Sequence, residues 1–269
     1  MAPLYLKTSL NLDARASLRI EFRGRVTASC HIVKIHKLLR IQWYDIFMKQ
    51  RPPIPLPPNG DKKVLLHSCC APCSGSVIED IHSAGIELSV YFYNPNIHPR
   101  KEYELRKEEN IRYAEKMGIP FIDADYDSDR WFKTTRGHEM DGERSGRCSL
   151  CFEMRFVKTA EYAYKNDFKV ITSCLGISRW KDIDQVTRAG VKAASLFPGI
   201  SYWDHNWRKQ DGSGRMIEIA KEEKFYQQQY CGCAYSLRDT NQWRLSQGRA
   251  PVELGKDYYL PKDTSEKQT

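Results

Sequence analysis

The 269-residue chain has no apolar stretch approaching the ~20 residues that a membrane-spanning helix needs, so no membrane partner is expected. Its first residues lack an apolar core followed by a small-residue cleavage site, so no secretory leader is expected either. Acidic residues are scarce at one end. Residues 1–60 hold 10 Lys/Arg and only 3 Asp/Glu, leaving 32 and 31 for the rest. A body that close to neutral offers no global positive field, and a nucleic-acid partner must find local basic patches on it. A glycine-rich phosphate loop after the first apolar run is also missing, which argues against ATP-dependent chemistry.

Cysteine is what the chain does have. It carries nine, in clustered spacings and odd number, which favours a reducing, cytoplasmic compartment and thiols kept for metals or catalysis. Cys69-Cys70-Ala71-Pro72-Cys73 follows a short apolar run, and Cys148-Ser149-Leu150-Cys151 opens a helical pattern. At a helix N-terminus that second spacing sets both sulfurs near amide donors and a positive dipole end, which favours thiolate. Four soft thiolates suit zinc or an iron–sulfur cluster, and pairs this far apart in sequence favour the cluster. Cys231-Gly232-Cys233 closes only a small ring, suited to a readily reduced disulfide that cycles electrons; further metal ligands or surface thiols are the alternatives. Cys174 ends a strand and reads as a packed core thiol, and Cys30 takes no role.

Residues 1–60 end in the proline-rich Arg51-Pro52-Pro53-Ile54-Pro55-Leu56-Pro57-Pro58, a linker no helix or central strand crosses. The segment before it reads as a disordered arm or a start placed too early, with Met48 a sensible start. From 61 to 245 strands alternate with helices, with a tail over 246–269. Strands are expected over Lys63–His67, Ile86–Tyr93, Phe121–Asp125, Lys169–Cys174 and Ile200–Trp203. Helices are expected over Cys73–Ala84, Lys101–Met117, Cys148–Asn166, Lys181–Ser195 and Met216–Gln229. That order predicts an α/β fold with a parallel sheet covered on both faces, its binding crevice beyond the carboxyl ends of the strands. His67, His98 and Asp125 then lie at strand ends as candidate proton donors. Trp203-Asp204-His205-Asn206-Trp207-Arg208-Lys209 interleaves aromatic and basic groups as an RNA surface would, and Arg179, Trp180, Arg208, Lys209 and Arg215 are the candidate contacts.

With these residues assembled, the chain resembles the QueH family of epoxyqueuosine reductases from about Lys63 to about Asn241. The resemblance rests on Leu65-Leu66-His67-Ser68-Cys69-Cys70-Ala71-Pro72-Cys73, Tyr93-Asn94-Pro95-Asn96-Ile97-His98-Pro99, Arg147-Cys148-Ser149-Leu150-Cys151-Phe152-Glu153-Met154-Arg155, Ser173-Cys174-Leu175-Gly176-Ile177-Ser178 and Tyr230-Cys231-Gly232-Cys233. It implies reduction of the epoxide of epoxyqueuosine, at the tRNA wobble position, to queuosine. It also implies a [4Fe-4S] cluster on Cys69, Cys70, Cys148 and Cys151, and a redox-active Cys231–Cys233 pair fed by an electron donor the sequence does not identify. An additional iron or zinc with Cys73 as a ligand would be a further inheritance. The implied fold is a Rossmann-like parallel sandwich of the adenine-nucleotide α-hydrolase-like (HUP) type, with Cys69–Ser74 standing where a phosphate loop would be. Some relatives have a proline after the position of Ser178, where this chain has Arg179-Trp180. The rivals are an ATP-dependent tRNA thiolase of the same fold and a zinc-stabilised RNA-binding module. The first lacks its phosphate loop here, and the second leaves Cys231 and Cys233 without a purpose.

Overall fold

The computed structural model describes residues 53–254. Cys30 and most of the expected arm, up to residue 52, fall outside that range, as does the tail from residue 255 onward. Five strands, β1 (Lys63–His67), β2 (Glu87–Phe92), β3 (Phe121–Asp123), β4 (Val170–Ser173) and β5 (Ser201–Tyr202), form one sheet in the order β3-β2-β1-β4-β5. Every pairing is parallel. The central strand is buried throughout Val64-Leu65-Leu66-His67, the signature of a strand covered on both faces.

Among the described residues, seven α-helices accompany the sheet: α1 (Ala71–Ser83), α2 (Arg100–Met117), α3 (Ser128–Thr134), α4 (Gly146–Lys165), α5 (Ile183–Ser195), α6 (Gly212–Glu222) and α7 (Ala234–Ser246). Val64, Leu66, Leu88, Val90 and Val170 belong to one apolar cluster with Val77 and Ile78 of α1, Tyr113 of α2 and Ile219 of α6. Leu65, Tyr91 and Ile171, one residue out of phase along the strands, belong to another with Ala160 and Ala163 of α4 and Ala194 of α5. This alternation is the two-face burial that parallel strands require.

All five expected strands are present, β1 with the expected bounds and the other four with shorter ends. The helix expected over Met216–Gln229 is corrected to Gly212–Glu222. It stops because Lys224 takes a left-handed φ of 53° and the Phe225 N–H reaches back to the Ala220 carbonyl at 2.9 Å, a helix-closing bond that fixes the buried Phe225 ring. Helices α3 and α7 had no counterpart in the sequence reading. Helix α3 is capped by Asp127 and anchored by the fully buried Trp131, and α7 is capped by the sulfur of Cys233.

The register fixes the site. His67 lies opposite both Tyr91 and Ser173, so Cys69, Tyr93 and Cys174 all follow within two residues of one sheet edge. Parallel sheets place their ligand sites at this edge, here beyond the carboxyl ends of β1, β2 and β4.

Candidate active site

Cysteines sit at three helix N-termini. Cys70 caps α1 and Cys73 is its third residue; Cys148 is the third residue of α4; Cys233 caps α7. Unpaired amides and the positive end of each helix dipole favour negative charge on sulfur there.

The first group is tight. The Sγ atoms of Cys69, Cys70 and Cys73 lie within 4.8 Å of one another, and Cys174 Sγ lies 3.8 Å from Cys69 Sγ. All four are buried. Cys174, Cys70 and Cys73 hydrogen-bond to Cys69 and hold it well below the usual thiol range. Bonding to Cys69 in turn pushes Cys70 up to about 12 and raises Cys73 and Cys174. The four thiols gather around Cys69, and a metal binding here would displace their protons. The Gln228 Nε2 amide donates to Cys70 Sγ at 3.2 Å. The Asn94 side chain fixes the approach to the cysteines by donating to the Ser68 carbonyl at 2.8 Å.

The second group is looser. Burial pushes Cys148 up to about 11 and Cys233 up to about 12, and it raises Cys151; Cys231 adds to each shift. Cys148 takes the Arg144 N–H at 3.3 Å, and Cys233 takes the Ser236 N–H at 3.3 Å. Cys231, half-buried, takes a bond from Lys181 Nζ at 2.8 Å.

Buried cations surround both groups. Arg106 pairs with the enclosed Glu102 at 2.7 Å and also binds the carbonyls of Cys231 at 3.0 Å and Tyr230 at 3.2 Å. Arg147 acts on Cys233 and lowers it, opposing its burial. Arg155 is buried, and among the described residues no carboxylate lies within ion-pair reach of it. Its Nη2 donates to Asn94 Oδ1 at 2.6 Å, while its Nε has no oxygen partner. Arg155 acts on both sulfur groups, lowering Cys69 and opposing the burial of Cys151. A buried cation without a carboxylate calls for another anion, and among the described residues the Cys69 sulfur, which Arg155 favours as thiolate, can supply one. Trp131 Nε1 also lacks an oxygen partner and acts on Cys151. An all-thiolate donor set under cations and N–H groups fits an anionic iron–sulfur cluster.

Of the expected ligands, the structure brings Cys69 and Cys70 together with Cys73, and it sets Cys148 and Cys151 on α4 outside that tight trio, linked to it through Arg155. Cys174, read from sequence as a core thiol, touches Cys69.

His67 is corrected from candidate donor to structural link. It is fully enclosed, and burial followed by Arg155 lowers it to about 3. Its Nε2–H donates to the Tyr93 carbonyl at 3.1 Å, and its Nδ1 accepts from Ser173 Oγ at 3.2 Å. His98, lowered by burial, donates from Nδ1 to the Asn96 carbonyl at 2.7 Å and packs on Phe132. Its backbone holds the cysteine loop, since its N–H reaches the Gly232 carbonyl at 2.7 Å and its carbonyl takes the Tyr230 hydroxyl. Asp125 lines a cavity of about 250 Å³ with Tyr91, Tyr93 and Lys158, and no cysteine shares that lining.

Among the expected RNA contacts, Trp180 is 62% exposed with Arg179 stacked over its ring at 4.9 Å, and Lys209 is exposed. Arg208 instead braces the preceding loop, donating to the carbonyls of Ser178 at 2.5 Å and Lys181 at 2.8 Å. Arg215 is held by Glu79, Glu218 and Glu222, which leaves it no free face for a phosphate. Trp203 and Trp207 are buried against each other, so those two rings are corrected to core packing, while Asp204 and Lys209 of the same stretch are exposed.

Sequence reasoning missed Arg155, Arg106 and Lys181. Arg155 had a signal, because it lies one helical turn after Cys151 and shares its face. Arg106 and Lys181 had none, since only the fold brings them to the Cys231 loop.

A family model described as epoxyqueuosine reductase QueH matches residues 64–239. The epoxyqueuosine reductase QueH of Histophilus somni is 62% identical over 209 residues, covering 78% of this chain and 86% of that one. That of Acinetobacter baylyi is 59% identical over 215 residues, covering 80% and 98%. A solved U34-tRNA thiolase NcsA from Methanococcus maripaludis, with its [4Fe-4S] cluster, has a TM-score of 0.41 at 13% identity over 70% of this chain and 68% of its own, too distant to carry an argument. With identities of 59–62% to these relatives over most of its length, the chain belongs to the epoxyqueuosine reductase QueH family.

Proposed function

We propose that this chain reduces the epoxide of epoxyqueuosine in tRNA to queuosine, with a [4Fe-4S] cluster held by Cys69, Cys70, Cys148 and Cys151 and with Cys231–Cys233 as a dithiol–disulfide pair. The observation that carries this reading is Arg155, a buried cation without a carboxylate that acts on Cys69 and Cys151 together. The net reaction removes one oxygen as water and needs two electrons and two protons. When bound, a [4Fe-4S] cluster supplies single electrons at low potential.

The chain's own residues do the rest. Arg155 and the N-termini of α1 and α4 hold negative charge on the ligand sulfurs. The reduced Cys231–Cys233 dithiol can give up two electrons as it closes to a disulfide, and Arg106 clamps its loop through two carbonyls. Exposed Trp180, stacked with Arg179, offers a face for an unpaired base, with Lys209 as a phosphate contact. Arg144 ties this pair to the α4 cysteines, donating to the carbonyls of Trp180 at 3.0 Å and Arg179 at 3.1 Å. Cys73, grouped with Cys69 and Cys70, is the candidate ligand for a further iron or zinc. The domain bounds proposed with this reading are an extension over 1–60, the catalytic body over 61–245 and a tail.

Anaerobically purified protein is expected to contain about four irons and four sulfides, bleach with dithionite, and convert epoxyqueuosine-containing tRNA. Cys231→Ser should keep the iron and lose multiple turnover. A colourless protein that stays zinc-only after iron–sulfide reconstitution would overturn the reading in favour of a zinc-stabilised RNA-binding module.

A further inference from the structure

Lys181 lies in the loop before α5, 50 residues from the pair it touches. Its side chain is 10% exposed, and its ammonium donates to Cys231 Sγ at 2.8 Å. Glu143 Oε2 stands 3.7 Å from the same ammonium. The other oxygen of Glu143 accepts from Ser236 Oγ at 2.7 Å, and Ser236 Oγ accepts the Cys231 N–H at 3.1 Å. Cys231 is therefore gripped at sulfur, amide and carbonyl, the last by Arg106. The charged and titratable groups around it are Lys181, Glu143 and Arg106, with Cys148 and Cys151 on α4 and with Cys233 and Arg147.

We propose that Lys181 is the positioning residue of the Cys231–Cys233 pair, holding Cys231 Sγ as the outward sulfur at which an external dithiol exchanges while Cys233 stays inside. The proposal rests on reading the pair as an electron carrier. Burial alone would pull Lys181 down, yet Cys231 and then Glu143 hold it above the usual lysine range. Cys231 is half-buried and Cys233 only 7% exposed, so access sets the order.

In the oxidised pair the donor's thiolate attacks Cys231 Sγ, and the Cys231–Cys233 bond breaks. Cys233 leaves as thiolate onto the Ser236 N–H, favoured by the charge of Arg147. The donor's second thiolate then attacks the donor sulfur of the mixed disulfide, and Cys231 leaves as thiolate onto Lys181. Each departing thiolate takes up the proton that the attacking donor thiol gave up, so the donor ends as a disulfide and the pair as a dithiol, with two electrons and two protons transferred. Exchange is faster when the departing sulfur is stabilised, which is the part assigned to Lys181.

The test uses full-length, anaerobically reduced protein and its Lys181→Met and Lys181→Arg variants. Iodoacetamide alkylation at pH 7, resolved by peptide, is followed beside a titration of the pair against a thiol–disulfide buffer. Wild type is expected to alkylate at Cys231 before Cys233. Lys181→Met should slow Cys231 about tenfold and move its couple negative by about 30 mV, the value of a tenfold change for two electrons. Lys181→Arg should retain the rate within about threefold, since it keeps the charge. Alkylation of Cys231 in Lys181→Met at the wild-type rate would overturn the proposal. So would faster alkylation of Cys233 in wild type, a result that needs no variant to fold. A wild type without a two-electron couple would remove the electron-carrier reading and the exchange with it, while a slowed alkylation would separately report the Lys181 contact.

Discussion

Arg155 shows how one side chain joins two chemical groups. It is anchored by Asn94, has no carboxylate of its own among the described residues, and acts on Cys69 and Cys151. Replacing it with Met removes the compensating charge and strands Asn94 Oδ1 in a buried site. Breaking a buried ionic arrangement from one side costs about 3–5 kcal/mol. Arg155→Met is therefore expected to lower the urea midpoint and to purify with little iron. Arg155→Lys keeps the charge but loses the planar fork, and should fall between the two. Equal iron content in all three proteins would separate Arg155 from the cofactor. At this scale the cysteines were legible because thiols in close spacing have few other uses. Trp203 and Trp207 were misread because an aromatic–basic alternation looks the same whether its rings face RNA or a core.

At the scale of elements, the strands were legible because buried parallel strands are short apolar runs between turns, and five were found where expected. Helix α7 was not, because its residues carry no clear apolar stripe and its cap is the sulfur of Cys233, which no capping rule names. The end of α6 was missed for a related reason: Lys224 takes the left-handed turn usually marked by glycine. Where glycine does matter is Gly190 on α5. A Cβ there would meet the Tyr202 ring of β5 at 2.4 Å, too close for any ordinary contact. Gly190→Ala must push that ring or the helix aside, at a cost of about 1–3 kcal/mol. The expected result is a lower urea midpoint with iron per folded protein unchanged, since no proposed ligand lies on α5 or β5. Loss of iron without loss of stability would contradict this account of the α5–β5 contact.

At the scale of the molecule, charge and catalytic residues are separated along the chain. Every cysteine with an assigned part lies between residues 69 and 233, inside the family match over 64–239, whereas the positive excess lies in the first 60 residues. Residues 1–47 alone hold eight Lys/Arg and three Asp/Glu. Phosphate neutralisation makes the logarithm of affinity fall linearly with the logarithm of salt concentration, and each lost contact lowers the slope by about one. A chain started at Met48 keeps β1 and all the helices described here, so its iron content and thermal midpoint should match those of the full chain. Its tRNA binding should differ: weaker at low salt, with a salt slope shallower by about two or more, and converging on the full chain as salt rises. Turnover at saturating tRNA should stay the same, because the thiols and the Trp180–Arg179 stack remain. An unchanged slope would place the phosphate contacts on the nearly neutral body, and residues such as Arg179 and Lys209 would then have to supply them.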